Sequence, residues 1–124
     1  MEPPTVTAQC QRLGVSKAGK KYVYKDARLL DAQAKLTAHL SPYATAEPRS
    51  GPLRLTVKWL FDSAGRHPDG TPKPTKPDTD NLQKMLKDCM TRLKFWRDDA
   101  QVAEEFISKY WSDRQGIYVL IEEL

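Results

Sequence analysis

Between Lys76 and Val102 the sequence sets carboxylates and amines at spacings that chemistry can use. The first run is Lys76-Pro77-Asp78-Thr79-Asp80-Asn81-Leu82-Gln83-Lys84. Pro77 cannot continue a preceding helix, and Asp78 and Asp80 fall where a loop becomes a helix. The free N–H groups and positive end of that helix favour carboxylates there. A single aspartate at a helix start is ordinarily a cap. Two aspartates one residue apart, aimed at a common point, repel each other unless a cation lies between them. At about 100° per residue, Asp80, Lys84, Lys87, Asp88 and Thr91 share one polar face, so Lys84 sits one turn above Asp80. Taken alone, that pair reads as a surface i,i+4 ion pair. The second run is Phe95-Trp96-Arg97-Asp98-Asp99-Ala100-Gln101-Val102, with Asp98 and Asp99 between the helix end and the next strand. If that strand runs beside the one ending at Phe61, one of these acids returns to the level of Asp78 and Asp80.

Three carboxylates and an ammonium around one point form a hard-cation site suited to Mg²⁺, with Mn²⁺ as a substitute. No His/Cys set offers a zinc alternative. His39 ends a helix, His67 lies in a loop, and both read as non-ligands. An EF-hand loop starting at Asp78 needs an acid or amide at 82, glycine at 83 and glutamate at 89. Those positions hold Leu82, Gln83 and Cys89, so that reading fails. An aspartyl-phosphate phosphatase places its acids after an apolar strand, whereas a proline-rich loop precedes these. Metal-assisted phosphodiester hydrolysis passes both checks: the cation polarises the phosphate and a lysine stabilises charge or orients the water.

The elements that must position these residues follow from pattern. Leu53, Leu55, Val57, Trp59 and Phe61 alternate with Arg54, Thr56 and Lys58, which predicts a half-buried strand. Ser63 to Pro77 contains four prolines and two glycines and is a loop. Leu82, Met85, Leu86, Cys89, Met90 and Leu93 form the apolar stripe of a helix from Asp80 to about Leu93. An earlier helix is expected from Asp26 to Leu40, with a partial stripe of Ala27, Leu30, Ala34 and Leu36 or Ala38, stopped by Ser41-Pro42. A short strand is expected near Thr5 to Gln9, and a basic stretch runs from Arg12 to Tyr24. Gln101 to Trp111 and Ile117 to Ile121 read as an antiparallel hairpin closing the sheet. The fold class expected is α+β: a two-layer sandwich with a mixed sheet and two main helices on one face, forming one domain over 1–124.

Composition agrees with one domain. The 124 residues are 40% hydrophobic and 29% charged, enough for a modest core and too apolar for a disordered chain. No apolar run approaches the roughly 18 residues of a membrane span. The start, Met1-Glu2-Pro3-Pro4, has no signal-like segment, so a cytoplasmic protein with reduced Cys10 and Cys89 is expected. Net charge is +4 overall, but +5 up to Asp62 and −1 after it. Basic residues thus gather where acids are few, as a polyanion held near carboxylates requires. Arg12, Lys17, Lys20, Lys21 and Lys25 interleave with Tyr22 and Tyr24, a pattern that suits phosphates and unpaired bases. Arg66, Lys73 and Lys76 offer a second contact line beside the acids.

The two runs resemble the RusA-type Holliday-junction resolvases. The strong match covers about Thr75 to Val102, and the order of strands and helices agrees over most of the chain. The resemblance implies metal-binding aspartates at Asp78, Asp80 and Asp99, an essential lysine at Lys84, and Asp98 as a neighbour that orients the turn. It further implies a homodimeric, Mg²⁺-dependent endonuclease, typically encoded by phages and prophages, that nicks two strands of a four-way DNA junction. A dimer is expected on separate grounds, since one acidic constellation per chain must make two symmetric cuts. Leu60, Trp111, Tyr118 and Leu120 are candidates for the paired surface. The alternatives are a non-catalytic branched-DNA-binding protein of the same fold and a metal-dependent nuclease for other branched nucleic acids or RNA.

Overall fold

The computed structural model describes residues 1–5, 11–15, 21–25 and 27–124. Beyond Thr5, the strand expected at Thr5 to Gln9 lies outside them, as do Lys17 and Lys20. The basic stretch contributes β1 (Gln11–Val15) and β2 (Lys21–Lys25), an antiparallel pair in which Arg12 stands opposite Tyr24 and Gln11 opposite Lys25.

The centre of the molecule is β3 (Leu53–Asp62), and its alternation is realised without exception. Leu53, Leu55, Val57, Trp59 and Phe61 are buried, while Arg54, Thr56, Lys58 and Leu60 point to the other face. Each fully buried side chain of this size contributes about 1.5–3 kcal/mol, so this one strand supplies much of the core. Two helices cover that face. The first, α1 (Ala27–Leu40), ends in a 3-10 turn at Ser41–Tyr43 that carries Pro42. It buries Leu29 and Leu36, with Ala32 and Leu40 partly covered, and leaves Leu30 52% exposed. Leu36 of the expected stripe is thus buried, whereas Leu29 takes the place expected of Leu30. Both rows have helical spacing, but the row carrying two buried leucines removes more apolar area from water than Leu30 with alanines.

The second helix, α2 (Thr79–Arg92), buries Leu82, Met85, Leu86, Cys89 and Met90, as its period requires. It closes with Lys94 in the left-handed region (φ 62°) and paired bonds, Lys94 N–H to Thr91 O and Phe95 N–H to Met90 O, both near 3 Å. Phe95 and Trp96 are then driven into the core, and the Trp96 indole N–H donates to the Thr91 hydroxyl at 2.7 Å.

The remaining strands are β4 (Val102–Ser112) and β5 (Gly116–Glu123), and the sheet order is β4-β3-β5. The expected β4–β5 hairpin is therefore corrected. β4 lies parallel to β3 and β5 antiparallel to it on the other edge. A strand reached from β3 through a helical crossover returns parallel, and β3, the most apolar strand, takes the centre. Asp113-Arg114-Gln115 crosses the end of β3, where β3–β5 pairing stops at Leu60 and Gly116. Three linking residues reach about 15 Å, enough for the roughly 10 Å of two strand spacings. The sheet's second face carries Phe106, Tyr118 and Leu120, which are 60%, 47% and 40% exposed. On that face Arg54 lies between Glu104 and Glu122, at 2.6 and 3.6 Å. No helix among the described residues is long and apolar enough to cross a membrane.

Candidate active site

The loop after β3 delivers the first two aspartates. Pro72 bridges Tyr110 on the outer edge of β4, with Gly70 N–H donating to Trp111 O and Lys73 N–H to Lys109 O. The chain then turns onto the helical face and enters α2. Asp78 takes the N-cap position in extended conformation, and its backbone carbonyl accepts from Leu82 N–H at 3.1 Å. Its side chain makes no capping hydrogen bond, so capping does not account for this acid. Asp80 is exposed in the first turn, where its carboxylate accepts from Asn81 N–H at 3.0 Å. Lys84 is exposed one turn on and, among the described residues, pairs with no carboxylate within salt-bridge distance. The polar face of α2 is instead tied to the sheet by Lys87 and Glu105 at 3.2 Å. Behind Asp80, buried Gln83 accepts from the Trp59 indole N–H at 3.3 Å.

These contacts fix the direction of α2. Gln83 meets Trp59, and Lys87 meets Glu105, which pairs with Leu55, so the helix runs from the C-terminal end of β3 back toward its start. Asp78 and Asp80 stand at the first end. Asp99 opens a 3-10 turn at Asp99–Gln101, immediately before Val102, which pairs with Leu53 at the other end. Six residues of strand between Trp59 and Leu53 span on the order of 20 Å. The expected convergence within one chain therefore does not occur: β4 does run beside β3, but parallel to it, so its start lies far from the head of α2. Among the described residues no group of three His, Cys, Asp or Glu side chains can hold a metal ion. Asp98 caps the 3-10 turn by accepting from Ala100 N–H at 2.9 Å. The Gln101 carboxamide accepts in return from Arg97 and Asp98 N–H.

Of the loop cations, Arg66 and Lys76 are exposed, and Lys73 is not. Lys73 is 8% exposed, and its ammonium lies 5.1 Å from the Phe61 ring centre and 4.7 Å from that of Trp111. It donates to the Thr75 carbonyl and hydroxyl and to the Lys76 carbonyl. Those three acceptors use its three donors, which corrects its placement on a DNA-contacting line. Trp111 is covered by His67, whose ring stacks on it at 4.0 Å, so Trp111 belongs to this cluster. Sequence reasoning also missed Lys109, on β4, which donates to the carbonyls of Thr75 and Pro77 at 2.6 and 2.8 Å. The register of β4 against the loop was the only signal, and it is a tertiary one.

Burial, and then the nearby Lys109, push the Lys73 ammonium below its ordinary lysine value. The unfolded chain therefore binds more protons between the lowered value and the ordinary one, and stability contributed by this site rises with pH across that window. Lys73→Met removes the effect. Thermal unfolding of the two proteins is expected to show the Met variant at or above the wild type at pH 7, with the difference narrowing as pH approaches the ordinary lysine range.

The fold is a two-layer α+β scaffold with two aspartates and a lysine at the exposed head of a helix. The pattern of the endodeoxyribonuclease RusA family matches residues 3–122, and the chain belongs to that family of Holliday-junction resolvases. The chain is similar to the crossover junction endodeoxyribonuclease rusA of Lactococcus phage r1t. The two are 28% identical over 116 residues, covering 92% of this chain and 88% of the relative. It is also similar to the uncharacterized protein YqaN of Bacillus subtilis (strain 168). There the identity is 40% over 50 residues, 40% of this chain and 34% of that protein.

Proposed function

We propose that residues 1–124 form one catalytic domain of a homodimeric, Mg²⁺-dependent resolvase, acting in the cytoplasm and cutting four-way DNA junctions by paired symmetric hydrolysis. Asp78 and Asp80 of one protomer and the partner subunit's Asp99 would hold the ion, with Mn²⁺ as a substitute. What carries the reading is the head of α2, where the exposed acids Asp78 and Asp80 stand two residues apart at the helix start with exposed Lys84 one turn above Asp80. The donors fit a hard cation, being carboxylate oxygens. The length of α2 keeps Asp99 of the same chain away, so a second copy is needed to complete the set, and two-fold symmetry then yields two equal sites. A bound ion would supply charge neutralisation at the scissile phosphate and a water of lowered pKa.

The protein's own groups do the rest. The positive end of α2 adds favourable potential at the phosphate, and the Lys84 ammonium stabilises charge there or orients the attacking water. Exposed Arg66 and Lys76 neutralise flanking phosphates, and Arg12, Lys17, Lys20, Lys21 and Lys25 do the same along the arms. The paired surface draws on the sheet's second face, where Phe106, Tyr118 and Leu120 stand uncovered. The test is cleavage of a labelled four-way junction with and without Mg²⁺, beside flap, duplex and RNA substrates. Paired nicks on the junction, absent without the metal, are expected. Metal-independent binding with no product would mark a non-catalytic junction binder, and preferential cutting of a flap or RNA a different substrate.

A further inference from the structure

The end of the loop that carries Asp78 into the site is held by side chains. Pro68, Pro72, Pro74 and Pro77 have no N–H, so the segment lacks the donors for a ladder of its own. Its last three carbonyls before Asp78 are held by two ammonium groups, one from within the loop and one from β4. Lys73 takes those of Thr75 and Lys76, and Lys109 takes those of Thr75 and Pro77, at 2.6 Å and 2.8 Å for the latter pair. We propose that Lys73 and Lys109 are positioning residues, whose ammonium groups fix the backbone of Thr75–Pro77 and thereby the place where Asp78 and Asp80 present their carboxylates. The inference rests on the metal-dependent reading above.

The two lysines are anchored differently, which makes the device stiff. Lys73 is enclosed between Phe61 of β3 and Trp111 of β4, with His67 stacked outside Trp111. Lys109 rises from the middle of β4, so the loop is referred to the same strand at two places, by Pro72 against Tyr110 and by this ammonium. Cations directed at backbone carbonyls make charge-assisted hydrogen bonds, about twice as strong as neutral ones. Like-charged neighbours this close would separate if the carbonyls did not bind both: Thr75 O accepts from each. Neither residue reaches the reacting atoms, so their effect is on placement. Groups that orient metal ligands typically change affinity or activity 10–100-fold when removed.

The experiment compares wild type, Lys109→Met, Lys73→Met and Lys109→Arg as full-length proteins, by amide hydrogen exchange over residues 70–82, Mn²⁺ titration calorimetry and junction cleavage. The Met variants are expected to exchange faster across the loop, to bind Mn²⁺ about 10–100-fold more weakly and to regain part of their rate in excess Mn²⁺. Lys109→Arg, which keeps the charge and donors, should restore wild-type exchange and affinity. Far-UV circular dichroism of each variant guards against a folding artefact. Wild-type exchange and Mn²⁺ affinity in both Met variants would overturn the positioning role while leaving the nuclease reading intact. A wild type that neither binds Mn²⁺ nor cuts would sink the metal-dependent reading instead, and loop exchange alone would then decide whether the two lysines hold the segment.

Discussion

Asp80→Asn is expected to lower junction cleavage by at least roughly 10²–10³-fold, the scale on which losing one group that stabilises transition-state charge is felt. The substitution is nearly isosteric and the side chain is exposed, so no packing is lost. Removing one acid from the first turn of α2 costs about 0.3–1 kcal/mol of helix stability, too little to unfold a domain. Junction binding should persist or tighten slightly, because phosphate contacts come from lysine and arginine and one repelling charge is gone. Gel-shift and cleavage assays on the same preparation check both halves. A variant that still cuts at the wild-type rate removes Asp80 from the reaction, and one that loses binding and cutting together reassigns it to DNA contact.

How far such a site can be read from sequence depends on the range of the interactions that build it. The relation of Asp78, Asp80 and Lys84 is local: a helix start after Pro77 and one turn of α-helix fix it, and both are visible in residue types. The alternation of Leu53 to Phe61 and the stripe of α2 were equally legible, since each has a single apolar face and only one way to bury it. The first helix was not, because Leu29 and Leu30 head two rows of comparable spacing and only the neighbouring elements choose between them. Lys73 was misjudged for a related reason. A lysine in a proline-rich loop looks solvated until two aromatic rings from different strands, Phe61 and Trp111, are found beside its ammonium.

The position of Asp99 was misread through strand direction. Taking β4 and β5 as a hairpin left the direction of β4 against β3 undetermined, and with it the end of the sheet where Asp99 falls. The clue was present: a strand that follows another through a helix is parallel to it. A parallel β4 begins beside Leu53, not beside Phe61, and the length of α2 then separates its head from Asp99. On the metal-dependent reading, a three-carboxylate site would then take Asp99 from a second protomer.

That conclusion has a direct genetic test. Asp80→Asn and Asp99→Asn homodimers are each expected to be inactive, since every site in either assembly lacks one carboxylate. In the mixed dimer the two lesions do not fall evenly. One site combines both substitutions, while the other combines an unaltered Asp78 and Asp80 with an unaltered Asp99 from the opposite protomer. Mixing the two inactive proteins under exchange conditions should therefore restore nicking. With free reassortment half of the dimers are mixed, each with one working site of two, so about a quarter of wild-type sites return. The products should be single nicks in one strand of the junction, not paired cuts. No restoration, with subunit exchange confirmed by differently tagged copies, would mean that each site is confined to one chain and that Asp99 acts elsewhere. Phe106→Glu sharpens the result: if the sheet's second face joins the protomers, this exposed substitution should yield folded monomers by light scattering, and complementation should vanish with the dimer.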